Sequence, residues 1–327
     1  MQWRGRRQSG NIEDIRGRGG MGGGMGGGFG MPGGLPGGTI RIPMGGSRSG
    51  GGGIGCGTLV VIGIVLYMLG INPLTILTNG GLGGGLEDML GPQMSPNEQR
   101  ADPRPRTQAG ASGREDEMKQ FVSTIIGSTE EVWTKVFKAY GRDYPEPTTT
   151  VFSGGVQSAC GLASSASGPF YCPGDKKVYI DFDFYRQLAQ QFGAPGDFAQ
   201  AYVLAHEVGH HVQNIIGVLP EFNRMRQSMG KLEANQMSVK VELQADCFAG
   251  IWGHYVAKEG WLDQGDLEEA LNAAKQIGDD TIQKKTQGYV VPDAFNHGTS
   301  EQRRYWFRRG FEAGRIEQCD TFNAAEL

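Results

Sequence analysis

The chain has 327 residues, a net charge of −4 and 20% charged residues, which suits one large domain or two ordinary ones. Glycine is the outlier: 55 residues, crowded into 17–57 and 79–85 without a G-x-y period, so neither a collagen nor a wholly disordered chain fits. Five cysteines are too few for a small disulfide scaffold, and a charge near neutral gives no general reason to expect nucleic-acid binding.

The charge is uneven along the chain. Arg4, Arg6, Arg7, Arg16, Arg18, Arg41 and Arg48 face only Glu13 and Asp14, so residues 1–48 carry +5 and the remainder −9. Residues 1–53 read as a disordered, basic, Gly-rich head, with too little apolar surface to offset ordering entropy. Ser49–Leu86 holds no charged residue, and Ile54–Ile71 reads IGCGTLVVIGIVLYMLGI, extendable through Leu74–Leu77. A single transmembrane helix is expected over 54–77. The arginines precede it, so the positive-inside rule places the N-terminus in the cytoplasm and the body outside, in a periplasmic or extracellular space. Residues 78–115 read as a flexible linker and 116–327 as the folded body.

Four of the five cysteines lie in that body, and an oxidising compartment permits two bonds, with Cys160–Cys172 and Cys247–Cys319 favoured. Helical spacing predicts two helices over 116–141, the second capped by Ser128 and Glu131. TTTVF, PFY and KKVYIDFDF read as strands between 147 and 183. Helices are expected at 184–192, at 198–216 behind an Asp197 cap, at about 220–233, from Ser238 to Ala257, and from Asp266 to about Ile277. Thr299 and Gln302 form a capping box for a last helix, Ser300–Ala313. The body is therefore α+β: a small sheet, then mostly helices.

The 198–216 helix carries His206-Glu207-Val208-Gly209-His210. Histidines at i and i+4 lie ~40° apart around a helix, so both imidazoles reach one metal ion. Glu207 lies on the same side and can act as general base toward a metal-bound water. The next helix offers Glu242 and Asp246, again at i and i+4, in an apolar setting of Leu243, Ala245, Cys247 and Phe248. Unpaired buried acids would be costly. Glu242 therefore reads as the third zinc ligand, and Asp246 as acceptor for the spare ring N–H of a ligand histidine. His211 and His254 read as structural.

H-E-x-x-H followed by E-x-x-A-D resembles the gluzincins. WRGRRQSGNIED, AYVLAHEVGHHVQN, ELQADCFAGIW and HGTSEQRRYWFRRGF together resemble the bacterial neutral zinc metallopeptidase family (YpfJ type). That resemblance implies a zincin-like fold, zinc ligands His206, His210 and Glu242, and Glu207 as general base. His297 to Arg303 gives H-x5-R, similar to the H-P-x4-R element of HtpX/CAAX-type membrane metallopeptidases, with Gly298 in place of the proline. Both side chains are expected to stabilise the oxyanion. The resemblance also implies that Lys177–Asp181 is an edge strand that binds extended peptide.

The expected function is thus membrane-anchored, zinc-dependent hydrolysis of peptide or protein substrates. The alternative is a non-catalytic, membrane-tethered zinc module, which would have no use for Glu207. A nucleic-acid-binding head is disfavoured, since Trp3 and Phe29 are its only aromatics.

Overall fold

The computed structural model describes residues 1–16, 109–164, 167–325 and 327. Four strands form one mixed sheet in the order β1 (Ile12–Asp14), β2 (Thr148–Phe152), β6 (Lys177–Asp181), β5 (Phe170–Cys172). The first three run parallel, and β5 lies antiparallel to β6, with Tyr171 opposite Val178. A hairpin of β3 (Gly155–Ser158) and β4 (Gly161–Ser164) stands apart. Eight helices are present among the described residues: α1 (Ala109–Ala139), α2 (Phe182–Gln190), α3 (Asp197–Ile216), α4 (Val218–Arg226), α5 (Lys231–Lys258), α6 (Asp266–Gln276), α7 (Asp279–Gln287) and α8 (Ser300–Ala313). The α+β reading and the strands at 148–152 and 170–172 hold, and the Thr299/Gln302 capping box is complete in both directions.

Helix boundaries differ where a hydroxyl was taken for a cap. Ser128 lies inside a single helix, α1, because its Oγ bonds back to Ile125 O at 2.6 Å and accepts the Trp252 indole N–H at 2.9 Å. Ser238 is likewise internal to α5, its Oγ donating to Ala234 O at 2.9 Å. A hydroxyl satisfied by the preceding turn does not start a helix. Gly196, rather than Asp197, caps α3.

The core is shared by α1, α3 and α5: Trp252 stacks on Phe198 and Trp133 meets Phe248 edge-on, all four side chains fully buried. Two close approaches fix the helices around the H-E-x-x-H segment. A Cβ on Gly209 would sit 2.9 Å from Ala245 O, so this glycine lets α3 and α5 meet backbone to backbone. A Cβ on Gly310 would strike the Cys247 carbonyl, so α8 is seated equally closely on α5. The structure pairs Cys160 with Cys172 and Cys247 with Cys319, as favoured.

Two expectations are corrected. Lys177–Asp181 is not an edge: β6 is flanked by β2 and β5, and its hydrogen-bonding sides are taken. The edge is β5. Nor are the first sixteen residues part of a disordered head. Ile12–Asp14 pairs with β2, Trp3 is buried against Phe121, and Arg7, Ser9 and Asn11 all bond the buried Glu130 carboxylate. Their apolar and polar groups are complementary to the body, which supplies the burial that the isolated segment lacks. The rest of the expected head, the 54–77 span and residues 78–108 of the expected linker lie outside the described residues, whereas residues 109–115, read as flexible linker, are the first turns of α1. Among the described residues, no helix is long and apolar enough to cross a membrane.

Trp3→Ala should cost about 3 kcal/mol, as for other large buried aromatics, read as a lower midpoint in denaturant unfolding. A change within about 0.5 kcal/mol, typical of a surface site, would contradict the packing of this segment.

Candidate metal centre and catalytic cleft

The H-E-x-x-H segment occupies the middle of α3, and Glu242 and Asp246 lie on the adjoining α5. His206 Nε2 is 3.2 Å from Glu242 Oε2, and His210 Nε2 is 3.5 Å from Glu242 Oε1. One ligand atom from each of the three residues lies within 4.8 Å of the other two. The two rings are nearly perpendicular, with centroids 4.8 Å apart. The structure therefore brings the three expected ligands together, in the two-nitrogen, one-carboxylate set that suits zinc.

Each imidazole is held from behind. Asp246 Oδ1 lies 2.8 Å from His206 Nδ1. A carboxylate there only accepts, so Nδ1 carries a hydrogen and Nε2 is the nitrogen turned toward Glu242 and the site. His210 Nδ1 meets Gln213 Oε1 at 2.9 Å. The Gln213 amide nitrogen must point the other way, because it donates to Val241 O at 2.7 Å and to Gln244 Oε1 at 3.1 Å. Gln244 in turn donates to Cys319 O at 3.0 Å, beside the second disulfide.

Asp246 is fully buried and more heavily bonded than the sequence reading allowed. It accepts from Tyr202 OH at 2.5 Å and from the Arg303 guanidinium at 2.8 and 3.0 Å. Burial disfavours the charged carboxylate, but Arg303 and His206 outweigh it and hold the Asp246 pKa at about 2. Burial likewise opposes a charged His206, yet Asp246 and Glu242 raise its pKa to about 10. Arg303 was expected to face an oxyanion. The structure instead commits its guanidinium to Asp246, Tyr202 OH and Ile277 O, in a pocket that leaves it 3% exposed.

Glu207 points into a cleft of about 500 Å³ lined also by His206, His210, Glu242, Phe170 and Tyr171. Burial pushes its pKa up against the pull of the two histidines, and the nearby Tyr171 backbone N–H of β5 also favours the charged form. His297 borders the same cleft, with about half of its side chain exposed. Burial opposes its protonation, but the Asp279 carboxylate, 3.1 Å from Nδ1, raises its pKa. Asp279 also accepts the backbone N–H groups of Asn296, His297 and Gly298, so one side chain shapes the whole loop that presents the imidazole.

Asp279, Gln213, Tyr202 and Tyr171 were missed in the sequence. Gln213 alone left a usable signal, three residues after His210 and so on the same helical face. His211 and His254 are structural, as read. His211 donates to Pro145 O and receives Tyr171 OH, and burial lowers its pKa to about 4. His254 Nδ1 meets Phe311 O at 2.7 Å.

The model of one family, described as "Putative neutral zinc metallopeptidase", matches residues 1–322. The chain is 43% identical to the uncharacterized protein YpfJ of Escherichia coli K12 over 322 residues, 98% of this chain and 99% of that one. It is also 43% identical to the uncharacterized protein Rv2575 of Mycobacterium tuberculosis H37Rv over 219 residues, 64% of this chain and 73% of the relative. No solved structure matches. With the family model running through both the first strand and the two helices that carry His206, His210 and Glu242, the chain belongs to the neutral zinc metallopeptidase family.

Proposed function

We propose that this protein is a zinc-dependent endopeptidase of zincin-like design, with His206, His210 and Glu242 as metal ligands and Glu207 as general base. The observation that carries the reading is the convergence of two imidazole Nε2 atoms on one carboxylate, each ring oriented by its own buried acceptor, with Glu207 beside them in an open cleft. Zinc bound there supplies Lewis acidity, polarising the scissile carbonyl and easing deprotonation of the attacking water.

The protein groups do the rest. An extended peptide adds to the free edge of β5, the strand that borders the cleft. Glu207 takes the proton from the attacking water and passes it to the leaving nitrogen; its raised pKa suits both halves of that transfer. His297, whose protonated form the Asp279 carboxylate favours, donates to the developing oxyanion. Asp246, with Tyr202 and Arg303 on it, holds the His206 ring in one orientation; Arg303 is a positioning residue in this scheme. A zinc module without catalysis would leave Glu207 with no task in a buried position.

Glu207→Gln should retain zinc at wild-type stoichiometry and lose peptide hydrolysis by roughly 100-fold or more; hydrolysis at the wild-type rate refutes the base assignment. Gln213→Leu should weaken zinc binding by about 10- to 100-fold in a chelator competition, and an unchanged affinity would remove Gln213 from the site. The cationic form of His297 is present below its raised pKa and is lost as pH rises through it. Asp279→Asn should therefore move the alkaline limb of kcat/KM to lower pH, on the order of one unit. A limb that stays in place would separate His297 from the chemistry.

A further inference from the structure

The geometry points to residues 1–16 as a built-in ligand of the peptidase body, and so to both lying on one side of any membrane. Four separate features of the body accommodate this segment. The outer edge of β2 receives it as a parallel strand, with Ile12 opposite Thr149 and Asp14 opposite Val151. Thr149 N donates to Asn11 O at 2.8 Å and Ile15 N to Val151 O at 2.9 Å. On α1, Gly127 leaves room for the segment's backbone: a Cβ there would lie 3.0 Å from Ser9 N and 3.1 Å from Arg7 O.

Glu130 supplies the third feature. It is 1% exposed, and its carboxylate accepts from Arg7 at 2.9 Å, Ser9 Oγ at 2.5 Å and Asn11 at 2.9 Å. Among the described residues, the side chains that bond this buried acid come from the first sixteen positions. Without them this carboxylate would lose all three of those bonds. The fourth feature is charge and stacking across the same surface: Lys177 pairs with Glu13 at 2.7 Å, Lys119 with Asp14 at 3.1 Å, and the Arg6 guanidinium lies 4.4 Å from the Trp261 ring centre.

These contacts are incompatible with a basic head in the cytoplasm and a body outside. Strand pairing and hydrogen bonds below 3 Å require both partners in one compartment, whether the strand comes from the same copy or from a neighbouring one. The same packing makes a fragment that starts at residue 116 an incomplete protein, short of one strand and of the partners of Glu130.

The test uses the full chain in bacterial cells, and its readout is independent of zinc and of hydrolysis. One short epitope is inserted between residues 22 and 28 and another after Leu327, and each is probed with protease before and after the membrane is opened. In parallel, the unmodified chain is treated in membranes with a zero-length carbodiimide, and the Glu13–Lys177 cross-link is sought by mass spectrometry. The expected result is both epitopes exposed on the same side and the cross-link present. Epitopes on opposite sides, or no cross-link in membranes from which the body's peptides are otherwise recovered, would overturn the inference.

Discussion

The buried carboxylate of Asp246 holds this structure together at its functional centre. It projects from α5, receives Tyr202 and His206 from α3, and is gripped by Arg303 from α8. A lone carboxylate at zero exposure would be untenable, and an Arg–Asp pair alone commonly does no better than break even against desolvation. Here the pair is completed by a hydroxyl and an imidazole, so both carboxylate oxygens are satisfied and three helices are fixed relative to one another. Gly209 and Gly310 make that possible by letting α3 and α8 come within backbone contact of α5. The orientation of the His206 ring is thus set by the same interaction that sets helix packing.

A second chain of bonds reaches the other histidine. His210, Gln213, Gln244 and the Cys319 carbonyl follow one another at hydrogen-bond distance, and Cys319 is bonded to Cys247, the neighbour of Asp246 on α5. The C-terminal disulfide therefore staples the chain end where the second histidine is oriented. On the opposite wall, Asp279 organises the His297 loop through three backbone N–H groups before it touches the imidazole. The histidines are positioned by rigid elements or by a multiply bonded carboxylate, which is what preorganised chemistry requires.

Much of this was legible in the sequence, for specific reasons. The i, i+4 spacings of His206/His210 and Glu242/Asp246 fix relative directions on a helix whatever the surrounding fold, so the grouping of His206, His210 and Glu242 could be read directly. The Thr299/Gln302 cap is equally local. What could not be read depends on distant chain. Asp279 meets His297 across eighteen residues and a turn, and Arg303 meets Asp246 across fifty-seven. The H-x5-R spacing flagged Arg303 but carried no information on which way its guanidinium turns. The edge strand was misplaced because alternation in Lys177–Asp181 says that one face is buried, not which neighbours flank the strand. The first sixteen residues look too polar to fold because their partners, Glu130, Phe121 and the open side of β2, are more than a hundred positions away.

The sheet links these observations. Its outer strands have opposite roles: β1 closes one edge with the N-terminal segment, leaving β5 as the edge beside the cleft, where the Tyr171 N–H lies near Glu207. The central claim is that two imidazoles and one carboxylate bind a single zinc ion. Zinc-edge X-ray absorption on the purified full chain tests it most directly. The account predicts one zinc per chain, with a first shell of nitrogen and oxygen at about 2.0–2.2 Å that includes two imidazoles. Sulfur in that shell, or a chain that takes up no stoichiometric zinc, would contradict it.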